Sequence, residues 1–140
     1  MSQKNILIIG DAGVGKTNLI NLLTNIKFQQ MYIPTVKIRC HKLNNINLYD
    51  TGGQDKYNLS HYPNIIFTDC IIIYDVTNSL SYNSINQWKQ KIKNLYQKNK
   101  IKFTVVGNKI DSPYRKIFDN DTLNISVKNN LNTNILHEIF

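Results

Sequence analysis

The feature of this chain that most limits its possible folds is a glycine-rich loop near the start. The residues from Gly10 to Thr17 read G-D-A-G-V-G-K-T, which matches the pattern G-x-x-x-x-G-K-[S/T]. The almost continuous apolar run 5–9 precedes the loop, and apolar residues at helical spacing follow it over 17–26. A strand, a glycine loop and a helix in that order predict a phosphate site, because loop N–H groups and the helix N-terminus surround phosphate oxygens. We expect Lys16 to reach the β- and γ-phosphates and the Thr17 hydroxyl to coordinate Mg²⁺.

The rest of the chain alternates strand-like and helix-like segments. Continuous apolar runs predict buried strands, and Asn44-Asn45 between two strand-like segments predicts an antiparallel hairpin. One apolar face over Ser81 to Lys98 predicts a long helix, and a short closing helix is expected at Thr133 to Phe140. The predicted strands are 5–9, 37–43, 46–50, 69–76, 101–106 and 123–125. The alternation predicts an α/β fold, with a mixed, mostly parallel six-stranded sheet and helices on both faces. Ligand-binding loops should gather at the carboxyl ends of the parallel strands.

Length and composition favour one globular domain over residues 1–140. The chain has 140 residues, 41% of them apolar, and a mean hydropathy of −0.34, which suits a single soluble domain. No apolar run approaches the roughly 18 residues of a membrane span, and the start lacks the layout of a signal peptide. Cys40 and Cys70 lie in strand-like runs, so we expect reduced core or near-core thiols in a cytoplasmic protein, although one disulfide is the alternative.

The formal net charge of +8 has two interpretations. A basic surface attracts nucleic acid or anionic lipid, whereas abundant Lys, Asn and Ile would also follow from AT-rich codons without any such partner. No basic stretch is interleaved with aromatic residues, so we do not expect specific nucleic-acid binding. The charge is concentrated around one predicted helix and its exit, at Lys89, Lys91, Lys93, Lys98, Lys100 and Lys102.

A second motif, D-T-G-G-Q, follows the third predicted strand. Asp50 at the strand end can hold Mg²⁺ through water, as the corresponding Asp of phosphate-binding-loop proteins does. The amide of Gly53 can approach a γ-phosphate closely because no side chain intrudes. Gln54 carries both a donor and an acceptor, which orienting an attacking water requires. Next to a phosphate-binding loop, this motif predicts phosphate chemistry.

A third motif, N-K-I-D at Asn108 to Asp111, follows the fifth predicted strand and bears on the base. Guanine offers two adjacent donors, its ring N1–H and its exocyclic amine, and one Asp carboxylate can accept from both. Adenine lacks that pair, so Asp111 would be left with an unsatisfied charge beside the wrong base. The sequence therefore predicts guanine specificity.

These three motifs, in this order and over essentially the whole chain, resemble the Ras superfamily of small GTPases. The stretch Tyr74-Asp-Val-Thr-Asn-Ser with Trp88 is similar to Rab-type members. The resemblance implies a P-loop NTPase fold of the Ras-like G-domain type. It also implies a first switch through Thr35, with Phe28 against the guanine and Tyr32 over the phosphates, and it identifies Ser126-Val-Lys128 as a loop beside the base.

The resemblance implies three sets of site residues. Nucleotide binding is expected at Asp11, Ala12, Gly13, Val14, Gly15, Lys16, Thr17, Asn18, Phe28, Tyr32, Thr35, Gly53, Asn108, Lys109, Asp111, Ser126, Val127 and Lys128. Metal binding is expected at Thr17, Thr35 and Asp50. Catalysis is expected to involve Lys16, Thr35 and Gln54.

By this resemblance the chain is a monomeric molecular switch, binding GTP or GDP with Mg²⁺ and slowly hydrolysing GTP, in signalling or trafficking. Effectors, exchange factors and activating proteins are the partners it implies. The alternative is a catalytically weak nucleotide-binding decoy or scaffold for regulators of small GTPases. A P-loop kinase for a small substrate fits less well, because the chain has no lid-like arginine cluster after the fifth strand.

Several departures from the family's pattern carry expectations of their own. Ala12 replaces the usual Gly or Ser, placing a methyl group beside the γ-phosphate and the path of an arginine finger. The first switch continues Val36-Lys-Ile-Arg-Cys40, and the hairpin after it is shortened. The span from Asp111 to Ser126 is too short for the helix normally found there, so we expect that helix to be missing or reduced. One sheet flank would then be open to a partner or a second copy.

No C-terminal cysteine and no Gly after Met1 are present, so no lipid anchor is expected. Membrane contact would then be peripheral, through the basic surface.

Overall fold

The structure, a computed structural model, describes residues 4–25, 38–53, 59 and 62–139. Strands and helices are interspersed along these ranges. The strands are β1 (Lys4–Ile9), β2 (Arg39–Leu43), β3 (Ile46–Asp50), β4 (Asp69–Asp75), β5 (Lys102–Asn108) and β6 (Leu123–Asn124). The helices are α1 (Lys16–Leu23), α2 (Ser79–Asn83), α3 (Ile85–Leu95) and a closing 3-10 helix (Thr133–Glu138).

The six strands form one sheet in the order β2-β3-β1-β4-β5-β6. The pairs β1–β3, β1–β4, β4–β5 and β5–β6 are parallel, and only β2–β3 is antiparallel. The predicted mixed, mostly parallel sheet is therefore confirmed. Because β1, β3, β4 and β5 run in one direction, the loops that follow them emerge at the same end of the sheet.

A hydrophobic core lies on each face of the sheet. Side chains alternate along β1, so Ile6 and Ile8 pack with α1 and the closing 3-10 helix, whereas Leu7 and Ile9 pack with α3. Trp88 is the largest fully buried side chain of the α3 side. Helices on both faces, as predicted, bury a strand that is apolar along most of its length.

The chain forms no helix between the end of β5 at Asn108 and the start of β6 at Leu123. This confirms the prediction from chain length. The loop carries Tyr114 and Phe118, which are 77% and 71% exposed, so neither side chain covers the adjacent sheet flank.

Three expectations differ from the structure. The helix predicted over 81–98 begins at Ser79, ends at Leu95 and is divided at Ser84. The hydroxyl of Ser84 lies 2.9 Å from the carbonyl of Leu80, a contact that competes with regular helix. The closing helix has 3-10 geometry. Cys40, expected in or near the core, is exposed on β2, whereas Cys70 is buried, and both thiols are free.

No helix in the described part of the chain is long and apolar enough to cross a membrane.

Candidate functional site

The predicted phosphate-binding loop connects the end of β1 to the start of α1. Gly15, the residue before α1, has a φ of 107°, which lies in the left-handed region that favours glycine. A Cβ at Gly15 would overlap Nδ2 of Asn108. This glycine therefore lets the loop approach the residues that follow β5.

Lys16, the first residue of α1, is buried beneath the loop. Its Nζ donates to the carbonyl of Gly10 at 2.9 Å and to that of Asp11 at 2.8 Å. The side chain of Lys16 thus reaches back from the end of the loop, and its ammonium group contacts the residues at the beginning of the loop. A cation enclosed by a glycine loop is suited to phosphate, which is the role that the sequence predicts.

The two predicted metal ligands that the structure describes lie side by side. Oγ1 of Thr17 donates to Oδ2 of Asp50 at 2.6 Å, and Asp50 is fully buried at the end of β3. A hydroxyl and a carboxylate are the hard oxygen ligands that Mg²⁺ prefers, and Mg²⁺ is usually held by one or two such groups together with phosphate and water. These residues fit the predicted ion, and Thr17 and Asp50 would hold it.

The residues predicted to recognise the base form a connected cluster. Oδ1 of Asp111 accepts from the hydroxyl of Ser126 at 2.6 Å. Asn108 donates through Nδ2 to the carbonyl of Val14 at 2.9 Å and accepts through Oδ1 from the amide of Val127 at 3.1 Å. Asn108 therefore joins the phosphate-binding loop to the loop that follows β6.

Lys109 adds a second connection of the same kind, which includes one residue that the sequence analysis missed. Nζ of Lys109 donates to the carbonyl of Gly13 at 2.8 Å and forms an ion pair with Oδ2 of Asp75 at 2.9 Å. Asp75 is the last residue of β4. Its position at the carboxyl end of a parallel strand was the signal that identified Asp50, and it applied equally here.

The side chain of Asp11 points to α3. Its Oδ1 accepts from Nε1 of Trp88 at 3.0 Å, and its Oδ2 accepts from the hydroxyl of Ser84 at 2.8 Å. Both carboxylate oxygens of Asp11 therefore accept hydrogen bonds from the helical segment. If Asp11 takes part in nucleotide binding, as the sequence predicts, it would do so through its backbone. No sequence pattern paired Asp11 with Trp88.

Gly53 lies against the phosphate-binding loop. A Cβ built on Gly53 would overlap the backbone nitrogen and Cα of Ala12 and the carbonyl carbon of Asp11. The D-T-G-G-Q segment and the phosphate-binding loop are therefore in direct backbone contact. Ala12 itself is exposed.

The remaining predicted residues fall into two groups. Lys128 is exposed and Asn18 is partly buried. Phe28, Tyr32, Thr35 and Gln54 lie outside the described residues, so their predicted roles stay predictions.

Comparisons with known proteins agree with this geometry. A profile of the Ras family matches residues 5–134. The Ypt/Rab-type GTPase ypt71 of Schizosaccharomyces pombe is 35% identical over 124 residues, covering 79% of this chain and 59% of the relative. The Ypt/Rab-type GTPase YPT7 of Saccharomyces cerevisiae is 32% identical over 130 residues, covering 81% of this chain and 62% of the relative. The chain thus spans about three fifths of the length of these relatives.

Proposed function

This chain belongs to the Ras family, and we propose that it is a guanine-nucleotide switch that binds GTP and GDP with Mg²⁺ and slowly hydrolyses GTP. The observation that carries the proposal is the contact between Thr17 and Asp50 at 2.6 Å. These residues come from two elements and meet directly beside the phosphate-binding loop. Thr17 and Asp50 would hold Mg²⁺ there, and the ion would supply positive charge beside the phosphates.

Guanine as the base is supported by the cluster around Asp111. The hydroxyl of Ser126 holds one carboxylate oxygen, which fixes the orientation of the group that would face the two donors of guanine. Asn108 fixes the distance between this cluster and the phosphate-binding loop. A rigid spacing between base site and phosphate site favours one nucleoside geometry.

The switching step would act through the segments around Thr35 and Gly53. GTP with Mg²⁺ would order these segments and hydrolysis would release them. The contact between Gly53 and Ala12 supports this, because a γ-phosphate bound at the loop would lie next to that backbone. Intrinsic hydrolysis in such switches proceeds at about 10⁻⁴ s⁻¹, so an activating protein would be needed for speed. Effectors and exchange factors in intracellular signalling or trafficking complete the proposal.

Copurified nucleotide and GTP turnover test the proposal together. The purified protein should yield GDP or GTP on extraction, and Mg²⁺-dependent phosphate release should exceed that of a Lys16→Ala control. Gln54→Leu should bind GTP as the wild type does but release phosphate at least about tenfold more slowly, since only the water-orienting amide is lost. Turnover indistinguishable from the Lys16→Ala control would refute hydrolysis.

A matched substitution tests the base. Asp111→Asn replaces an acceptor-only carboxylate with an amide that can donate one hydrogen bond, so it should weaken GTP and favour xanthosine triphosphate, whose ring carries a carbonyl in place of the exocyclic amine. Unchanged preference for GTP over the xanthine nucleotide would place base recognition elsewhere.

The alternative, a nucleotide-binding decoy or scaffold with negligible hydrolysis, is favoured by one observation. The backbone of Ala12 lies against Gly53, and the methyl group of this exposed residue would narrow the path by which an activator's arginine enters. A single-turnover assay separates the two, because a switch that hydrolyses GTP at about 10⁻⁴ s⁻¹ consumes half of its bound GTP in about two hours. Bound GTP that persists in wild type for more than about a day, roughly ten such half-lives, and is hydrolysed within hours in Ala12→Gly, supports the decoy.

A further inference from the structure

An open groove of about 790 Å³ runs along the β5–β6 flank of the sheet. It lies beside the first half of β5, whereas the phosphate-binding loop follows the carboxyl end of β1. The loop between β5 and β6 contains no helix, so this flank lacks the cover that the family's usual helix would give. The groove is therefore separate from the nucleotide site.

The floor of the groove is an open strand edge. β6 pairs only with Val106 and Gly107 of β5, so residues 102–105 have no strand beside them on that side within the described ranges. The carbonyl of Gly107 accepts from Ile125 on the β6 side at 2.8 Å, whereas the amide of Lys102 donates toward β4, to Thr68, at 3.1 Å. Because backbone groups of alternate residues point to the same side of a strand, both backbone groups of Phe103 and the amide of Val105 face the groove.

The walls of the groove stand on both faces of the sheet. Asn86 and Lys89 of α3 form one wall, and Ile135 and Ile139 from the end of the chain form the other. A helix laid on this flank would contact one face only. An extended chain continues the plane of the sheet and sends its side chains alternately to the two faces, so it fits a groove with two walls.

The charge of the groove differs from that of the whole chain. The sequence has 17 basic and 9 acidic residues, whereas the groove is lined by three acidic residues, Asp119, Asp121 and Glu138, and by two basic ones, Lys89 and Lys102, so acidic side chains outnumber basic ones there. Asp121 and Glu138 are exposed. A local group of carboxylates on a strongly basic protein attracts a positively charged ligand.

We propose that this groove binds an extended peptide segment of a partner protein that carries Lys or Arg and adds as a strand to the open edge of β5. Backbone hydrogen bonds to Phe103 and Val105 would supply the pairing. Asp121 and Glu138 would select basic side chains. The interaction goes beyond nucleotide binding and does not depend on it.

A labelled octapeptide of alternating Lys and Val, titrated by fluorescence anisotropy against the GDP-loaded protein, tests the proposal. Two isomeric peptides of the same charge separate strand addition from electrostatic attraction alone. One is methylated on the backbone nitrogen of every Val, and the other on the backbone nitrogen of every Lys. In strand addition only one set of amides faces β5, so one isomer should bind at least about tenfold more weakly than the other, since each lost backbone hydrogen bond costs about 1 kcal/mol. Equal binding of the two isomers, or no binding of the parent peptide, would overturn the proposal.

Two pairs of substitutions with the same charge change locate the site. Asp121→Asn with Glu138→Gln removes two carboxylates from the groove and should weaken the parent peptide about fivefold. Asn45→Lys with Gln97→Lys changes the net charge by the same amount outside the groove. This pair should weaken the parent peptide less than the first pair does, because it acts only through the net charge of the protein. Equal loss in both pairs would overturn the groove as the site. A concentration-dependent dimer in sedimentation that only the first pair disperses would overturn the peptide as occupant, because a second copy would then fill the groove.

Discussion

Asp11 lies within the phosphate-binding loop, but its side chain serves to hold that loop in place. Trp88 and Ser84 lie four positions apart, on one side of the α2–α3 segment, and each donates to one oxygen of the Asp11 carboxylate. The carbonyl of the same residue accepts from Lys16. α3 therefore holds the backbone beside which the γ-phosphate would bind.

We predict that Trp88→Phe weakens both GTP and GDP binding by about tenfold. The substitution keeps an aromatic ring in the core but removes the N–H that holds Asp11, and a hydrogen bond to a charged group contributes about 1.5–3 kcal/mol. Competition with a fluorescent guanine nucleotide measures the change. Ser84→Ala should act in the same direction, and nucleotide affinities within twofold of wild type for both variants would show that the contact serves stability alone.

Gly53 gives a second prediction at the level of one residue. Gly53→Ala should abolish productive GTP binding or unfold the segment, because the new Cβ would overlap backbone atoms of Asp11 and Ala12. Since the overlap is with backbone, removing the Ala12 methyl group in the double variant Gly53→Ala, Ala12→Gly should give no rescue. Nucleotide affinity and thermal unfolding of the three proteins measure this, and restored GTP binding in the double variant would contradict it.

Among the elements, the sequence predicted best where apolar runs are strongest. β3 has its predicted bounds, and β1, β4 and β5 lie within one or two residues of theirs, because a strand buried on both faces requires a continuous apolar run. The division at Ser84 was only partly predictable, because its hydroxyl lies near the carbonyl of Leu80, four positions earlier, and also near the carboxylate of Asp11, 73 positions away in the chain. Asp75 could have been identified from its position at the end of β4, but its pairing with Lys109 could not, because that depends on how β4 and β5 lie in register.

One contact between elements should depend on pH. The hydroxyl of Tyr82 donates to Oδ2 of Asp119 at 2.6 Å and joins α2 to the loop before β6. This hydrogen bond, helped by the amide of Asp121, lowers the pKa of Asp119. A carboxylate whose pKa is lower in the folded state stabilises the fold above its unfolded pKa of about 3.9, and this contribution is lost as pH falls through the folded value.

We therefore predict that Tyr82→Phe lowers the free energy of unfolding at pH 5 and above, and that its difference from wild type shrinks as pH falls below about 4. Urea unfolding of the two proteins at a series of pH values measures that difference. Phe keeps the edge-on ring contact with Tyr74 at 5.0 Å, so a difference that stays constant down to the acid limit would show that the effect of the Tyr82 hydroxyl does not depend on the charge of Asp119.

At the scale of the whole molecule, the carboxylates are unevenly placed. Asp11, Asp50, Asp75 and Asp111 stand at or beside the ends of parallel strands, where the nucleotide and its metal would lie, and three more line the groove. The lysines around α3 and its exit are largely exposed. Two of these lysines, Lys89 and Lys102, line the groove with the three carboxylates. Net charge alone did not predict where the carboxylates lie, since their placement depends on which strand ends and flanks the topology brings together.

The two thiols report on the whole fold. Cys40 is exposed on β2, and Cys70 is fully buried in the middle of the sheet, where burial raises the pKa of its thiol. A chromogenic disulfide reagent should therefore modify one thiol per chain rapidly and the second only through unfolding. Cys40→Ser should remove the rapid phase and leave the slow one.

The slow phase also tests nucleotide binding without relying on hydrolysis. A ligand that binds only the folded chain at 100 times its Kd adds about 2.7 kcal/mol of stability, so saturating GDP with Mg²⁺ should slow modification of Cys70 in the Cys40→Ser protein by about a hundredfold. ATP should give little protection, because Asp111 would meet the wrong base. Equal protection by ATP would contradict guanine specificity, and two rapidly reacting thiols in wild type would contradict the burial of Cys70 in the sheet.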